Sequence, residues 1–191
     1  SIKHNNFKKY THKIMGGWLA KAEGVVFENW SLGEFNPDNL QTSCGMDFGF
    51  SIDPDSLTEI AIDKKHKKIY LKEHIYQNGL KSHDLAKIVL DKVGNTLIIA
   101  DSAEPRLIAD LKHLGVNIKA VKKGTIESGI TRMQDYHLVV TPESTNIAKE
   151  LNNYIYSDKS SKLYVDNFNH SIDGIRYNVI YHLDNPNAGK Y

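Results

Sequence analysis

The chain has little of three things: cysteine, net charge and long apolar runs. Its 191 residues include one cysteine, Cys44, which excludes an intramolecular disulfide and favours a reducing compartment. The formal net charge of +1 excludes a histone-like protein or an acidic tail. No run is long enough to cross a membrane, and no signal-peptide pattern opens the sequence. We therefore expect a soluble protein without a membrane partner.

The first unusual stretch is residues 42–51, which is typical of a buried strand but contains Asp47 near its middle. An unpaired buried carboxylate is costly, so an acid at such a position indicates a counter-charge. A metal ion is the obvious counter-charge. A turn in which Asp47 acts as a cap between Gly45 and Gly49 explains this stretch equally well.

A second apolar stretch, residues 96–101, also ends in an acid, Asp101. Pro105 follows at an early helical position, and open α/β sheets place their chemistry where a strand ends and a helix begins. The alternative is that Asp101 only caps the helix that begins near Glu104, a role that Ser102 could also fill.

The order of the elements predicts a fold. Three strands, joined as an antiparallel meander by short links, precede an alternation of helix and strand. Right-handed crossovers then place the fourth strand parallel to the first and beside it. We therefore predict an α/β fold with a mixed five-stranded sheet of order 3-2-1-4-5, flanked by helices, which is the ribonuclease H-like architecture. The strands are predicted at residues 42–51, 57–63, 68–76, 96–101 and 116–121, with helices at 82–94 and 104–115.

The flanking segments are less regular. The basic opening of the chain predicts a short helix, followed by a strand-like stretch at residues 25–30. Beyond the sheet we predict a helix at 126–136, a short strand at 138–140 and a helix through Ile147. An additional small hairpin is predicted to pair residues 152–156 with 163–165. An amphipathic terminal helix is expected to start near Asn169.

A third acid, Asp173, lies in the first turn of that terminal helix, one position from its apolar stripe. Three carboxylates from two strands and a helix suit a two-metal phosphodiester hydrolase, because Mg²⁺ and Mn²⁺ prefer oxygen ligands. Asp47 would bridge both ions, and Asp101 and Asp173 would each complete one site. His170, one turn earlier, is a candidate ligand or proton carrier, and Asp166 is a weaker candidate. Compensation of the helix dipole is the alternative role for Asp173.

Three motifs follow one another along the chain: GMDFGF at 45–50, ADSAEPR at 100–106 and NHSIDGIRY at 169–177. Together they resemble the nuclease domain of the large terminase subunit of tailed bacteriophages, of the headful-packaging type. The resemblance implies a ribonuclease H/integrase-like fold and cutting of double-stranded DNA with little sequence preference, using two divalent cations, Mn²⁺ or Mg²⁺. It also implies that residues 1–40 form the junction after an absent ATPase motor domain, and that 41–191 form the nuclease domain.

The same resemblance implies site residues and partners. The acidic triad falls on Asp47, Asp101 and Asp173, with His170 in the Asn-His motif. The implied partners are double-stranded DNA, the ATPase domain of the same polypeptide, the portal protein and the small terminase subunit, in the host cytoplasm. Gly174 stands where alanine is expected, which should cost the helix up to about 1 kcal/mol.

Three basic residues are predicted to contact DNA phosphates, namely Lys122, Lys123 and Arg132. Such contacts would make binding strongly salt-dependent, although surface lysines are often only solvated. Two other functions stay open. One is a RuvC-like junction resolvase or a ribonuclease H, because the same carboxylates serve these enzymes. The other is a non-catalytic docking module for the portal or the small subunit, which would need no divalent ion.

Overall fold

The computed structural model describes residues 21–50, 52–122 and 124–185. Within them lie a seven-stranded mixed sheet, a two-stranded hairpin and five helices. The strands are β1 (Trp30–Leu32), β2 (Thr42–Asp47), β3 (Asp55–Asp63), β4 (Lys68–Gln77), β5 (Ile98–Asp101), β6 (Ile118–Val121), β7 (His137–Val140), β8 (Tyr156–Asp158) and β9 (Leu163–Tyr164). The helices are α1 (Ser82–Val93), α2 (Pro105–His113), α3 (Ile126–Gln134), α4 (Thr145–Asn153) and α5 (His170–Asp184).

The centre of the large sheet has the predicted strand order. Strand β2 pairs antiparallel with β3 and parallel with β5, while β3 pairs antiparallel with β4 and β5 pairs parallel with β6. The predicted number of strands, five, is wrong. Strand β7 pairs parallel with β4 and β1 pairs parallel with β7, which extends the sheet to seven strands. Both added strands have three or four residues, too few for an alternating pattern to identify a partner.

Turn and cap residues delimit the helices largely as predicted. Helix α1 ends at Gly94, whose φ of +56° is a left-handed conformation that glycine adopts without strain. Ser82 is the first helical residue rather than the cap, which is Lys81. Pro105 opens α2, where its fixed φ favours the helix and its missing N–H removes no bond.

Helices cover both faces of the sheet, because side chains alternate between the faces along each strand. On one face, Cys44 and Met46 of β2 pack with Ile98 and with residues of α1 and α2. On the other face, residues of β3 and β4 pack against α3, α4 and α5. Gly45 therefore faces α5, and so does the next alternate residue of β2, Asp47.

The segment before residue 40 contributes to this core. Val26 and Phe27 are buried in the cluster beneath α4 and α5. The predicted strand at 25–30 is wrong in its bounds, because Val25 makes only an isolated bridge to Ile155 and the strand runs from Trp30 to Leu32. The predicted basic helix lies outside the described residues, and the division at residue 40 stays a prediction.

The carboxyl-terminal part agrees with the predicted elements. Strands β8 and β9 form a hairpin, as predicted, with Tyr156 opposite Tyr164. The predicted bounds of its first strand, 152–156, are wrong, because α4 extends to Asn153 and β8 begins at Tyr156. Helix α5 begins at His170, with Asn169 as its N-cap residue. No helix in the described part of the chain is long and apolar enough to span a membrane.

Candidate metal centre

Parallel pairing places two of the candidate carboxylates at one edge of the sheet. Gly45 lies opposite Ile99, and Met46 lies opposite Ala100. The next residues of the two strands are Asp47 and Asp101, and both β2 and β5 end there. Because register partners on parallel strands share a face, both carboxylates point towards the face covered by α5.

A contact between two glycines brings the third carboxylate to the same edge. A side-chain carbon at Gly45 would collide with the carbonyl of Gly174 in α5. A side-chain carbon at Gly174 would lie 3.2 Å from the backbone nitrogen of Asp47. Helix α5 therefore touches β2 through backbone atoms, with Asp173 adjoining this contact. Gly174 has a packing role besides its expected cost in helix propensity.

Asp47 lies between two side chains of α5. The Tyr177 hydroxyl donates to its Oδ1 at 3.4 Å, and Nδ1 of His170 lies 3.5 Å from its Oδ2. The His170 Nε2 lies 3.8 Å from Oδ1 of Asp53. The interaction with Asp47 raises the pKa of the His170 imidazole. His170 is thus a half-buried base that three carboxylates, those of Asp47, Glu150 and Asp53, bias towards the protonated form.

Asp173 is held by a buried arginine that the sequence did not identify as a site residue. Arg176 donates to Oδ1 of Asp173 from Nε at 3.2 Å and from Nη2 at 3.0 Å. The arginine side chain is 2% exposed and that of Asp173 is 20% exposed. A side-chain carbon at Gly129 of α3 would collide with the Arg176 stem, so this glycine makes room for the arginine. The signal in the sequence was the spacing of three residues between Asp173 and Arg176, which places the two side chains next to each other on the helix.

Asp55 buttresses the loop that follows Asp47. It is buried, and its Oδ1 accepts a hydrogen bond from the Gly49 backbone N–H at 2.9 Å. Burial raises the pKa of Asp55, and the nearby Asp47 charge acts in the same direction. Nothing in the local sequence predicts this contact, because it depends on how the loop folds back.

The side chains as they stand do not form a finished metal site. Within the described ranges, no group of three or more His, Cys, Asp or Glu residues is arranged to hold a metal ion. Asp47 lies near His170 and Asp173 is bound by Arg176 instead. The donor chemistry nevertheless fits a hard divalent cation, since three half-buried aspartates offer oxygen ligands at one edge. Metal binding would then compete with these partners.

The structure does not bring all predicted candidates together. Asp166 precedes α5 rather than lying one turn earlier within it, and it accepts a hydrogen bond from Asn169 at 3.1 Å. Arg132 pairs with Asp184 at 2.9 Å, at the opposite end of α5. That end is about 16 Å from Asp173 at 1.5 Å per residue.

The two predicted lysines differ in what the structure says of them. Lys122 is exposed and directly follows Val121, which pairs with Asp101. It therefore lies at the edge that carries the carboxylates. Lys123 lies outside the described residues.

The sheet order and the acids at the ends of β2 and β5 define a ribonuclease H-like domain. A family model described as "Terminase RNAseH like domain" matches residues 47–180. The chain belongs to this family, which confirms the resemblance found in the motifs. It is 34% identical to the large terminase subunit of Bacillus phage SPP1, over 92% of this chain and 46% of that protein. The chain thus spans about half the length of this relative.

Solved structures of terminase nuclease domains have the same fold. The nuclease domain of the SPP1 large terminase, solved with bound Mn, is 32% identical, with a TM-score of 0.70 over 80% of this chain and 96% of that chain. The nuclease domain of the P22 large terminase has a TM-score of 0.68 at 15% identity, over 82% of this chain and 91% of that chain. The nuclease of the thermophilic phage G20c, solved with bound magnesium, has a TM-score of 0.55 at 16% identity, over 83% of this chain and 97% of that chain.

Proposed function

We propose that this chain is the nuclease domain of a large terminase subunit and cuts double-stranded DNA with the help of two divalent cations. The observation that carries the proposal is the meeting of Asp47 and Asp101 at adjacent strand ends, with Asp173 placed against them by the glycine contact. The similarity to the SPP1 nuclease domain solved with bound Mn supports the same assignment.

The three aspartates would hold Mn²⁺ or Mg²⁺. Asp47 is the proposed bridge between both ions, while Asp101 and Asp173 each complete one site. When bound, such a pair of ions supplies activation of the attacking water and stabilisation of the leaving oxygen. The partial burial of Asp47 and Asp173 strengthens their attraction for a cation, because fewer water molecules screen the carboxylates.

Other side chains of the centre position these acids and hold protons. Arg176 orients Asp173 through two donors on one oxygen, and the Tyr177 hydroxyl steadies Asp47. His170 holds a proton within reach of the cleft, because its two ring nitrogens face Asp47 and Asp53. We propose that it transfers this proton during cleavage or joins the ligand set.

We place this activity in headful genome packaging, with little sequence preference, in the host cytoplasm. The proposed partners are the ATPase domain of the same polypeptide, the portal protein and the small terminase subunit. The support is the identity to the SPP1 large terminase. A freely cutting nuclease would destroy the genome that it packages, so we expect these partners to restrain cleavage. Equal cutting by the isolated domain and by the packaging-engaged full-length protein would contradict that restraint.

The test is conversion of supercoiled plasmid by the chain with Mn²⁺, Mg²⁺ or EDTA, beside an Asp47→Ala variant. The matched control is Asp110→Asn, because Asp110 is an exposed acid of α2, on the opposite face of the sheet. We expect metal-dependent cutting that Asp47→Ala abolishes and Asp110→Asn retains. Circular dichroism would verify that both variants are folded.

The other outcomes identify the alternatives. Preference for four-way junctions or RNA–DNA hybrids over linear duplex would favour a resolvase or a ribonuclease H. No cutting under any condition, together with no shift of the melting temperature by Mn²⁺, would overturn the proposal in favour of a docking module.

A further inference from the structure

The helix that carries two of the candidate residues is capped by another helix. The first N–H groups of an α-helix lack partners within the helix, and Asn169, the cap residue of α5, makes no side-chain cap hydrogen bond. Glu150 of α4 supplies the acceptors instead. Its Oε1 accepts from the Ser171 N–H at 3.1 Å, and its Oε2 accepts from the Ile172 N–H at 3.0 Å. Each carboxylate oxygen thus accepts one backbone hydrogen bond.

Glu150 is almost fully buried, with 1% of its surface exposed. Burial raises its pKa to about 7, while the two backbone donors act in the opposite direction. The Tyr76 hydroxyl also donates to this carboxylate. The Tyr76 ring meets the His170 ring edge to face, with 6.4 Å between centroids. A carboxylate in this position costs desolvation, which the chain offsets by three donors that it has placed around it.

We infer that Glu150 is a positioning residue for the metal centre: by capping α5 it fixes His170 and Asp173 relative to Asp47. The two residues whose N–H groups it binds, Ser171 and Ile172, lie directly between His170 and Asp173. Fraying of this turn would therefore displace both side chains at once. Glu150 is not one of the proposed metal ligands and would act on them only through α5. This inference rests on the proposed function and assigns a positioning residue to that same site.

A second carboxylate in the molecule provides a matched comparison. Glu73 of β4 caps α4 in the same manner, accepting from the Ile147 N–H at 3.1 Å and from Nδ2 of Asn146 at 2.8 Å. Burial raises the pKa of Glu73 as well. Helix α4 carries no candidate metal ligand. It does carry Glu150, one turn after Ile147, so the Glu73 cap reaches the turn between His170 and Asp173 only through Glu150.

The experiment compares Glu150→Gln with Glu73→Gln in the same chain. Glutamine keeps the size of the side chain but offers one acceptor oxygen, so one backbone N–H is left facing an amide donor. We would measure Mn²⁺ affinity by electron paramagnetic resonance of the free ion, and plasmid cleavage as a function of Mn²⁺ concentration. We expect Glu150→Gln to weaken Mn²⁺ binding at least about 10-fold, as loss of outer-shell partners commonly does. Glu73→Gln should change it less than about twofold.

High Mn²⁺ concentration should restore cleavage by Glu150→Gln if the defect is in ligand positioning. Equal effects of the two variants on Mn²⁺ affinity would overturn the inference while leaving the proposed function intact. Absence of both Mn²⁺ binding and cleavage in the parent chain would overturn the proposed function, and this inference with it.

A milder variant covers the case in which Glu150→Gln does not fold. Tyr76→Phe removes the hydroxyl that donates to Glu150 but keeps the ring against His170. We expect a Mn²⁺ affinity about threefold to 10-fold weaker, in the same direction as for Glu150→Gln. An unchanged Mn²⁺ affinity in a folded Tyr76→Phe protein, together with an unfolded Glu150→Gln protein, would assign Glu150 to the fold alone.

Discussion

Helix α5 carries a histidine at each end, and the two lie in opposite electrostatic environments. His170, in the first turn, lies 3.5 Å from the Asp47 carboxylate, which raises the pKa of the imidazole. His182, in the last turn, shares a 2.9 Å hydrogen bond with the Ser43 hydroxyl. Burial lowers the pKa of His182 to about 4, and nearby Lys64 acts in the same direction. Both histidines lie beside the same strand, β2.

The difference teaches that β2 and α5 form one packed pair with two unlike ends. The carboxyl end of β2 gathers acids that need cations. At its amino end, here called the neutral end, the uncharged His182 faces the Ser43 hydroxyl beside Lys64. A pocket of about 140 Å³ adjoins the neutral end, lined by Gln41, Ser43, Ile60, Ile62, Lys64 and His182. A pocket of this size cannot hold a DNA duplex, whose phosphates bind to surface cations. The proposed chemistry therefore belongs to the acidic end, where bound divalent cations would offset the charge of the carboxylates.

Replacement of the two histidines gives the largest contrast that we expect. His170→Gln should lower the rate of plasmid cleavage about 100-fold, the range typical of a lost proton-transfer group. His182→Gln should change it less than about threefold. Single-turnover cleavage in Mn²⁺ measures both. Similar losses for the two variants would mean that both histidines act only through the fold.

Substitution of the two glycines tests how closely α5 approaches β2 at the acidic end. Gly45→Ala should destabilise the protein by about 1–3 kcal/mol, the usual cost of overpacking, because the new methyl group meets a backbone carbonyl. Gly174→Ala should cost less, since the gain in helix propensity, about 1 kcal/mol, offsets a milder contact. Urea unfolding measures the difference. Equal stabilities for the two variants would contradict the close approach at Gly45.

His182, at the neutral end, should make the stability of the protein depend on pH. The folded pKa of His182 is about 4, whereas an unfolded histidine titrates near 6.5. Between these values the unfolded chain binds more protons, so the stability from His182 is present above pH 6.5 and is lost as the pH falls towards 4. The free energy of unfolding then changes by at most about 1.4 kcal/mol per pH unit, and the partial exposure of His182 makes this change smaller.

The measurement is urea unfolding at several pH values for the parent and for His182→Gln. The carboxylates titrate in the same window, so the difference between the two proteins isolates the histidine. Parallel curves for parent and variant would show that His182 is protonated in the folded protein as readily as in the unfolded one.

The smallest effect concerns DNA affinity. Lys122 lies beside the strand end of Asp101, whereas Arg132 is paired with Asp184 at the other end of α5. Lys122→Ala should weaken duplex binding a few-fold and reduce the slope of log K against log salt by about one. Arg132→Ala should leave the slope unchanged. Fluorescence anisotropy in Ca²⁺ at several salt concentrations would measure this, and a larger effect of Arg132→Ala would move the DNA path to the neutral end.

The sequence predicted the centre of the fold well because its signals there are local and long. Strands β3 and β4 alternate over nine or ten residues, and Gly94 and Pro105 punctuate the helices. A short strand was predicted at 138–140, where β7 lies, but the pairing of β1 and β7 with the sheet could not be assigned, because it depends on the free edge of β4. Likewise, α5 could be placed from its apolar stripe. The carboxylate that caps its first turn, Glu150, could not be identified from the residues around Asn169.

The candidate site was predictable where a strand or helix ended in an acid. Asp47, Asp101, His170 and Asp173 all followed from position and from the family resemblance. Glu150 and Tyr76 were missed because they reach α5 from other elements, and Ser171 lies 21 positions after Glu150. Nothing in the local sequence distinguishes Glu150 from a solvated glutamate of an amphipathic helix. Its role depends on tertiary packing alone.

The contact between Gly45 and Gly174 has a consequence for how the domain tolerates change. The closest approach of helix and strand is made by main-chain atoms, which no rotamer adjustment can move apart. The spacing between the acids of β2 and α5 is therefore insulated from the identity of the surrounding apolar residues. Relatives could exchange much of their core for other side chains of similar volume, and the spacing of these acids would stay the same.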